Sequence, residues 1–453
     1  MSHRPLFSAL QFLRPGQARA GTSGRRSLSH ELARSVTAAV LALSLPLAGC
    51  ATDDVGEGTE DLTDVANTSV KRQSIGNCWI YATVGWAESL RLAHGGEKLN
   101  LSESYLSYWH WYEQIAGGTG GSQLAFLDPG GVIGTGGWFG TAVELMLRYG
   151  VMDEGAFIPE EADAIRSDRQ AAALAAINTS LKTGALATTA SRKDRTLVRA
   201  EMDKAWQLKP EVVAALDSVF GKGVTKNIYK PGTLATGMRH PRDIAVGRGI
   251  VSGKDKTLTL EDAIGKPASS FDAKKRTGTF AWNEAFYPSS GTAARRDFLK
   301  RAQKALHAKQ PVIMTWFVDF AAMGADKAFR APPAAPGRQG GHMTVLEDYE
   351  VDDVPGFGTL KAGVDFTNDP KALAAALDSK ATIRFFRVKN SWGGDLAPQG
   401  AADDFKGFHD LFMAYLNGPL KECNGTEPDK CAKTSTTQGL RAFVLPPAGF
   451  LSK

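Results

Sequence analysis

Ile80, Val84, Ala87, Leu90 and Leu92 recur at helical spacing directly after Cys78, and Gly95-Gly96 supplies the stop. Ser102, in Leu101-Ser102-Glu103-Ser104, is placed to cap a second helix rich in Tyr and Trp. A glycine-rich run, 130–140, leads into a third helix predicted from about Thr141 to Tyr149 and closed by Gly150. Beyond residue 160 the composition shifts to Ala and Leu. Helical spacing runs over Ile165–Leu181 and again over Leu197–Phe220, where Pro210 interrupts it. A polar, Gly/Lys-rich stretch follows. From Arg296 to Lys309 a further helix carries Phe298, Leu299, Ala302, Ala305 and Leu306 on one face. The period then changes, and strands are predicted at Pro311–Val318, His342–Asp348 and Thr382–Lys389. The pattern divides the folded part into a helical lobe at 70–160, an insertion at 161–285 and a β-rich lobe at 286–453. The fold class is α+β.

The 453 residues suffice for two packed halves, and 43% hydrophobic with 22% charged residues is ordinary for a globular protein. The net charge of +5 suggests acidic partners until it is located. Residues 1–49 hold six arginines against one acid, Glu31, so the remainder carries 5 − 5 = 0. Nothing argues for nucleic acid.

Those first residues have the form of an export signal. A basic region precedes the uncharged, mostly apolar run 36–49, which is shorter than the roughly 20 residues needed to span a bilayer. It ends in Leu47-Ala48-Gly49-Cys50, which resembles the bacterial lipobox, in which the cysteine takes lipid and becomes the mature N-terminus. A plain signal peptide cleaved nearby is the alternative. The acidic stretch behind it (Asp53, Asp54, Glu57, Glu60, Asp61, Asp64) is expected to be a solvated tether, 50–69, between a membrane anchor and the folded domain.

Four cysteines remain to be assigned. Cys50 is the expected lipidation site. Cys423 and Cys431 flank a turn-rich loop suited to a local disulfide in an oxidising compartment, with two free thiols as the alternative. No second Cys/His pair stands at ligand spacing, so no metal or cofactor is expected.

Cys78 is left, in Gln73-Ser74-Ile75-Gly76-Asn77-Cys78-Trp79 at the mouth of the first helix. A helix N-terminus favours a thiolate, and a side-chain amide upstream can donate to an oxyanion. The thiolate also needs an imidazole. Among eight histidines, His94, His110 and His307 fall in predicted helices, and His240 and His409 lie in polar surroundings. His342 follows Gly340-Gly341 and opens an apolar strand, which makes it the candidate base. Asn390, at the end of another strand and next to Trp392, can accept from that imidazole while the indole keeps water away.

Gln-x-x-Gly-x-Cys-Trp, then Gly-Gly-His, then Asn-Ser-Trp-Gly, in that order, resembles the papain-like (C1) cysteine peptidases. Leu101-Ser102-Glu103, Gly136-Gly137, Tyr149-Gly150-Val151, Lys309-Gln310-Pro311-Val312 and Gly407-Phe408 match further landmarks of that family. The resemblance covers roughly 70–160 and 285–420. It implies a two-lobed fold with a helical left lobe, and roles for each residue: Cys78 as nucleophile, His342 as base then acid, Asn390 as its orienter and Gln73 as oxyanion donor. Gly136 and Gly137 would bind extended substrate, with Trp392 beside them. Departures accompany it. Gln73 stands one residue closer to Cys78 than is usual, and Asn77 replaces a small residue. The Cys-to-His gap, 342 − 78 = 264, requires the long insertion. Helical insertions between the lobes, and the sequence Cys78-Trp79-Ile80, are similar to the bleomycin-hydrolase-like branch. The expected activity is peptide-bond hydrolysis through a thioester, on a peptide or protein substrate. An inactive papain-like binding module and a transglutaminase-like acyl transferase are the alternatives.

Overall fold

A computed structural model describes residues 65–452 apart from 118–123, 227, 230–233, 270–271, 395–396, 398–404 and 424–433. The expected signal, Cys50, most of the tether and Cys431 therefore lie outside the described residues. Among the described residues no helix is long and apolar enough to cross a membrane.

Three helices make the first lobe: α1 (Cys78–Ala93), α2 (Glu103–Ala116) and α3 (Phe139–Tyr149). Ser102 caps α2 by accepting from the Tyr105 N–H at 3.0 Å. Gly150 closes α3 at φ 73°, a left-handed conformation that a side chain would strain. Both α1 and α2 are buried on nearly every side, because the insertion wraps what the other helices leave open.

The insertion begins helical, with α4 (Arg169–Thr183), α5 (Arg195–Ala205) and α6 (Pro210–Phe220). Pro210 starts α6, where its missing N–H costs nothing. After residue 240 the chain turns to antiparallel ribbons, Ala245–Val251 with Lys254–Thr259 and Lys266–Ser269 with Asp272–Thr277. A helical insertion is thus half of the picture. Ile177, Leu181, Val198, Met202, Trp206, Val246 and Leu258 all join the core that holds α1–α3. The insertion is part of the first lobe's core, not an appendage.

The second lobe is one antiparallel sheet of seven strands. Its strands are β1 (Asn283–Phe286), β2 (Val312–Asp319), β3 (Gln339–Val354), β4 (Gly358–Leu360), β5 (Thr382–Lys389), β6 (Phe408–Phe412) and β7 (Leu440–Leu445). Their order is β6-β5-β3-β2-β7-β1, with β4 paired to β3. Helix α7 (Thr292–His307) packs its Phe298, Leu299, Ala302, Ala305 and Leu306 face on one side of this sheet. The strand period of two sends alternate residues to opposite sides. Val312 and Met314 join the core under α7, whereas Ile313, Met343 and Val345 join the helical lobe's core. This is the α+β, two-lobed arrangement that the sequence motifs imply, and α1 lies against β3 where the lobes meet.

Trp206 tests the role of the insertion. It is fully buried, with ring centroids 4.9 Å from Trp111 and 6.0 Å from Phe157. Trp206→Ala is expected to cost about 3–5 kcal/mol in urea unfolding; a loss below about 1 kcal/mol would mark the insertion as independent of the lobe.

Candidate active site

Cys78 opens α1, and its neighbour Asn77 occupies the cap position without capping. The Asn77 amide turns away instead, donating to Ser107 Oγ and to Gln170 Oε1 of the insertion, each at 3.0 Å. The first N–H groups of the helix stay available. The N–H groups of Cys78 and Trp79, and that of Met343 from β3, one residue beyond His342, lie where they favour the thiolate of Cys78. Asn77 thereby anchors the insertion next to Cys78.

Trp79 fixes the next wall. Its indole donates to the Thr135 carbonyl at 2.9 Å. A Cβ on Gly137 would sit 2.5 Å from the Trp79 ring, so only glycine allows this approach. Gly136 faces open space. The paired glycines therefore present bare main chain beside the nucleophile's neighbour.

His342 pairs with Trp316 across β2 and β3. Its Nε2 lies 2.7 Å from Asn390 Oδ1. With Nε2–H donating to that oxygen, Nδ1 is left to exchange a proton with a thiol. Trp392 stacks on the imidazole, centroids 4.6 Å apart at 18°, and covers the His342–Asn390 bond. Asn390 Oδ1 also accepts from the Ser391 N–H at 2.7 Å, while its Nδ2 donates to His409 Nδ1 at 3.3 Å. His409 corrects the sequence reading. Its surroundings are buried, not merely polar: it sits on β6 opposite Val388, among Asn390, Trp392 and Phe329.

Gln73 reaches the second lobe directly. Its N–H donates to the Ser391 carbonyl at 2.9 Å, and its Oε1 accepts from Ser391 Oγ at 2.6 Å. Nε2 donates to the Ile75 carbonyl at 2.7 Å, within the shortened loop. An amide nitrogen carries two N–H groups, so one remains for a developing oxyanion.

Burial sets the electrostatics. It pushes the Cys78 thiol up to about 11, against the pull of the Met343, Trp79 and Cys78 N–H groups. It pushes His342 down to about 4, with the Asn390 bond opposing. Either charge alone is disfavoured, and each is tolerated chiefly in the presence of the other. Beneath the site, Thr68 donates to Glu88 at 2.7 Å and accepts from Lys389 at 2.8 Å, while Lys71 reaches Glu103 at 2.8 Å. These buried charges tie residues 65–72 to α1, α2 and β5. Burial pushes Lys389 down to about 8 and Glu154, against Lys71, up to about 8. Among the described residues no cluster of three or more His, Cys, Asp or Glu could hold a metal. Cys423 is disulfide-bonded, and Cys431, its expected partner, lies outside the described residues.

No protein-family model and no curated protein matches the chain. Solved structures do. Xylellain, a cysteine protease from Xylella fastidiosa, is 12% identical with a TM-score of 0.31, covering 86% of this chain and 85% of that one. The bromelain protease from Ananas comosus is 12% identical with a TM-score of 0.29, covering 84% of this chain and 94% of that one. Likeness at that level carries no functional argument, which rests on the geometry.

His342 gives a signed pH prediction. Its folded value near 4 lies below the ordinary 6.5. Between these values the unfolded chain binds a proton that the folded one does not, so stability is present above about 6.5 and is lost as pH falls toward 4. Relative to His342→Phe, the wild type should lose up to ~1.4 kcal/mol per pH unit across that window in urea unfolding. Parallel curves would refute the buried neutral imidazole.

Proposed function

We propose that the chain is an exported, lipid-anchored cysteine peptidase that hydrolyses peptide bonds through a thioester. One observation carries the reading: an imidazole, His342, held by Asn390 under Trp392, beside a cysteine at a helix N-terminus whose thiolate the neighbouring Met343 N–H favours. The thiol proton passes to His342 Nδ1 and the sulfur attacks the scissile carbonyl carbon. The Cys78 N–H and the second Gln73 N–H stabilise the oxyanion. As the tetrahedral adduct collapses, the imidazolium protonates the leaving amine and a thioester remains. His342 then deprotonates a water, which attacks the thioester and releases the carboxylic acid and the thiol. Gly136 and Gly137 would pair with extended substrate backbone.

The long insertion and Cys78-Trp79-Ile80 support a place near the bleomycin-hydrolase-like branch. The lipid anchor rests on Leu47-Ala48-Gly49-Cys50 alone. The Gln73 Nε2 bond to Ile75 favours the second reading, an inactive binding module, because it occupies one of the amide nitrogen's two N–H groups. An acyl transferase is less favoured, since an amide and not a carboxylate orients His342.

An epoxide thiol inhibitor should label the wild type near neutral pH and leave Cys78→Ala unlabelled. No Cys78-dependent adduct would sink the peptidase reading in favour of the binding module. Gln73→Ala should lower kcat by on the order of 10²–10³, the usual cost of one oxyanion donor; an unchanged kcat would remove Gln73 from the site. Export can be followed separately: Cys50→Ser should move the protein from the membrane to the soluble fraction, and unaltered fractionation would exclude the anchor.

A further inference from the structure

The Asn390 amide lies between two buried imidazoles. Its oxygen takes two donors, His342 Nε2–H at 2.7 Å and the Ser391 N–H at 2.7 Å, and its nitrogen gives to His409 Nδ1 at 3.3 Å. The amide's two ends are thus distinguished by what faces them. Turned over, the NH2 group would confront two donors, and the oxygen would confront an imidazole nitrogen bearing a lone pair. Trp392 serves both rings, lying face-on to His342 (18°) and edge-on to His409 (87°, 5.1 Å). The three side chains stand on β3, β6 and the residue after β5, so the sheet register brings them into line.

We infer that His409 is a positioning residue, whose bare Nδ1 holds the Asn390 amide in the orientation that presents Oδ1 to His342. The inference rests on the proposed peptidase reading for its purpose, though not for its geometry. A donor that gives up its proton to one partner strengthens its oxygen as an acceptor for the other, so His409 also makes Oδ1 a better partner for an imidazolium. The role requires His409 to be neutral. Burial, with the charge of His342 adding, holds it down to about 3, against a backbone bond to Gly407 that pulls the other way. Without His409, Asn390 Nδ2 would lose its partner in a site closed to water.

The test reads His342 through the Cys78 thiol, using iodoacetamide alkylation of the full folded chain at neutral pH. His409→Phe keeps the ring but removes the acceptor, and should slow alkylation on the order of five- to tenfold, the worth of one hydrogen bond. His409→Asn places an oxygen where Nδ1 stood and should recover the rate to within about threefold. In an Asn390→Ala background, His409→Phe should add nothing, whereas a general packing role would slow both backgrounds alike. Should His409→Phe fail to fold, His409→Leu takes its place in the same cycle. An unchanged rate in the acceptor-free variant, a failure of His409→Asn to recover it, or equal slowing in the Asn390→Ala background would each overturn the inference. Hydrolysis of labelled casein by the wild type, against Cys78→Ala, is scored separately. Its absence would count against the peptidase reading while the alkylation cycle still decides the role of His409.

Discussion

The site depends on α1 lying across the opening of β3, so that the first residue of a helix meets the first residues of a strand. There the Met343 N–H, next to His342, favours the thiolate of Cys78. The packing beneath is apolar: Met343 and Val345 enter the same core as Ile80 and Val84. Cys78 and His342 are 264 residues apart in sequence, but chain length is a weak opponent, since each doubling of a loop costs only about 0.6 kcal/mol. An insertion of that size is affordable because it buries its own apolar faces in the helical lobe. Its attachment at Asn77–Gln170 comes within one residue of the nucleophile.

Burial around the site has a double effect. It holds Cys78 and His342 neutral when each is considered alone, and it makes any attraction between their charged forms strong. Trp392 contributes by excluding water from the His342–Asn390 bond. The charges Lys71, Glu88, Glu103 and Lys389 line a small cavity together with Met343, Asn390 and Ser391. They fasten the strap at 65–72 to both lobes, and buried ion pairs of this kind are better at specifying one arrangement than at adding stability.

Much of this was legible in the sequence, for physical reasons that differ by element. The face of Phe298, Leu299, Ala302, Ala305 and Leu306 announced α7, and Ser102 announced the start of α2. Strand β2 is buried on both sides, so its near-continuous apolar run stood out. The ribbons after residue 240 did not, because strand Lys254–Thr259 is mostly exposed and shows no apolar alternation. Cys78, His342 and Asn390 could be singled out as candidates because each sits at an element boundary that glycine or a strand end marks. His409 was missed for the opposite reason. Nothing beside it in the chain signals its partner, which comes from the register of β6 on β5. Asn77 looked like a defect in a motif, and only the fold reveals Gln170 beside it.

Gln73 is bonded twice to Ser391, once through its main chain and once through its side chain. Those bonds cross from the helical lobe to the sheet lobe at the reaction centre itself. A hinge motion that parted the lobes would take apart the surroundings of Gln73, Asn390 and Cys78 together. Such a molecule cannot admit a ligand by opening like a clam. Entry has to come along the surface left by loops such as the one carrying Gly136. The parting of the two halves should then be abrupt, with no half-open form between the joined and the separated lobes.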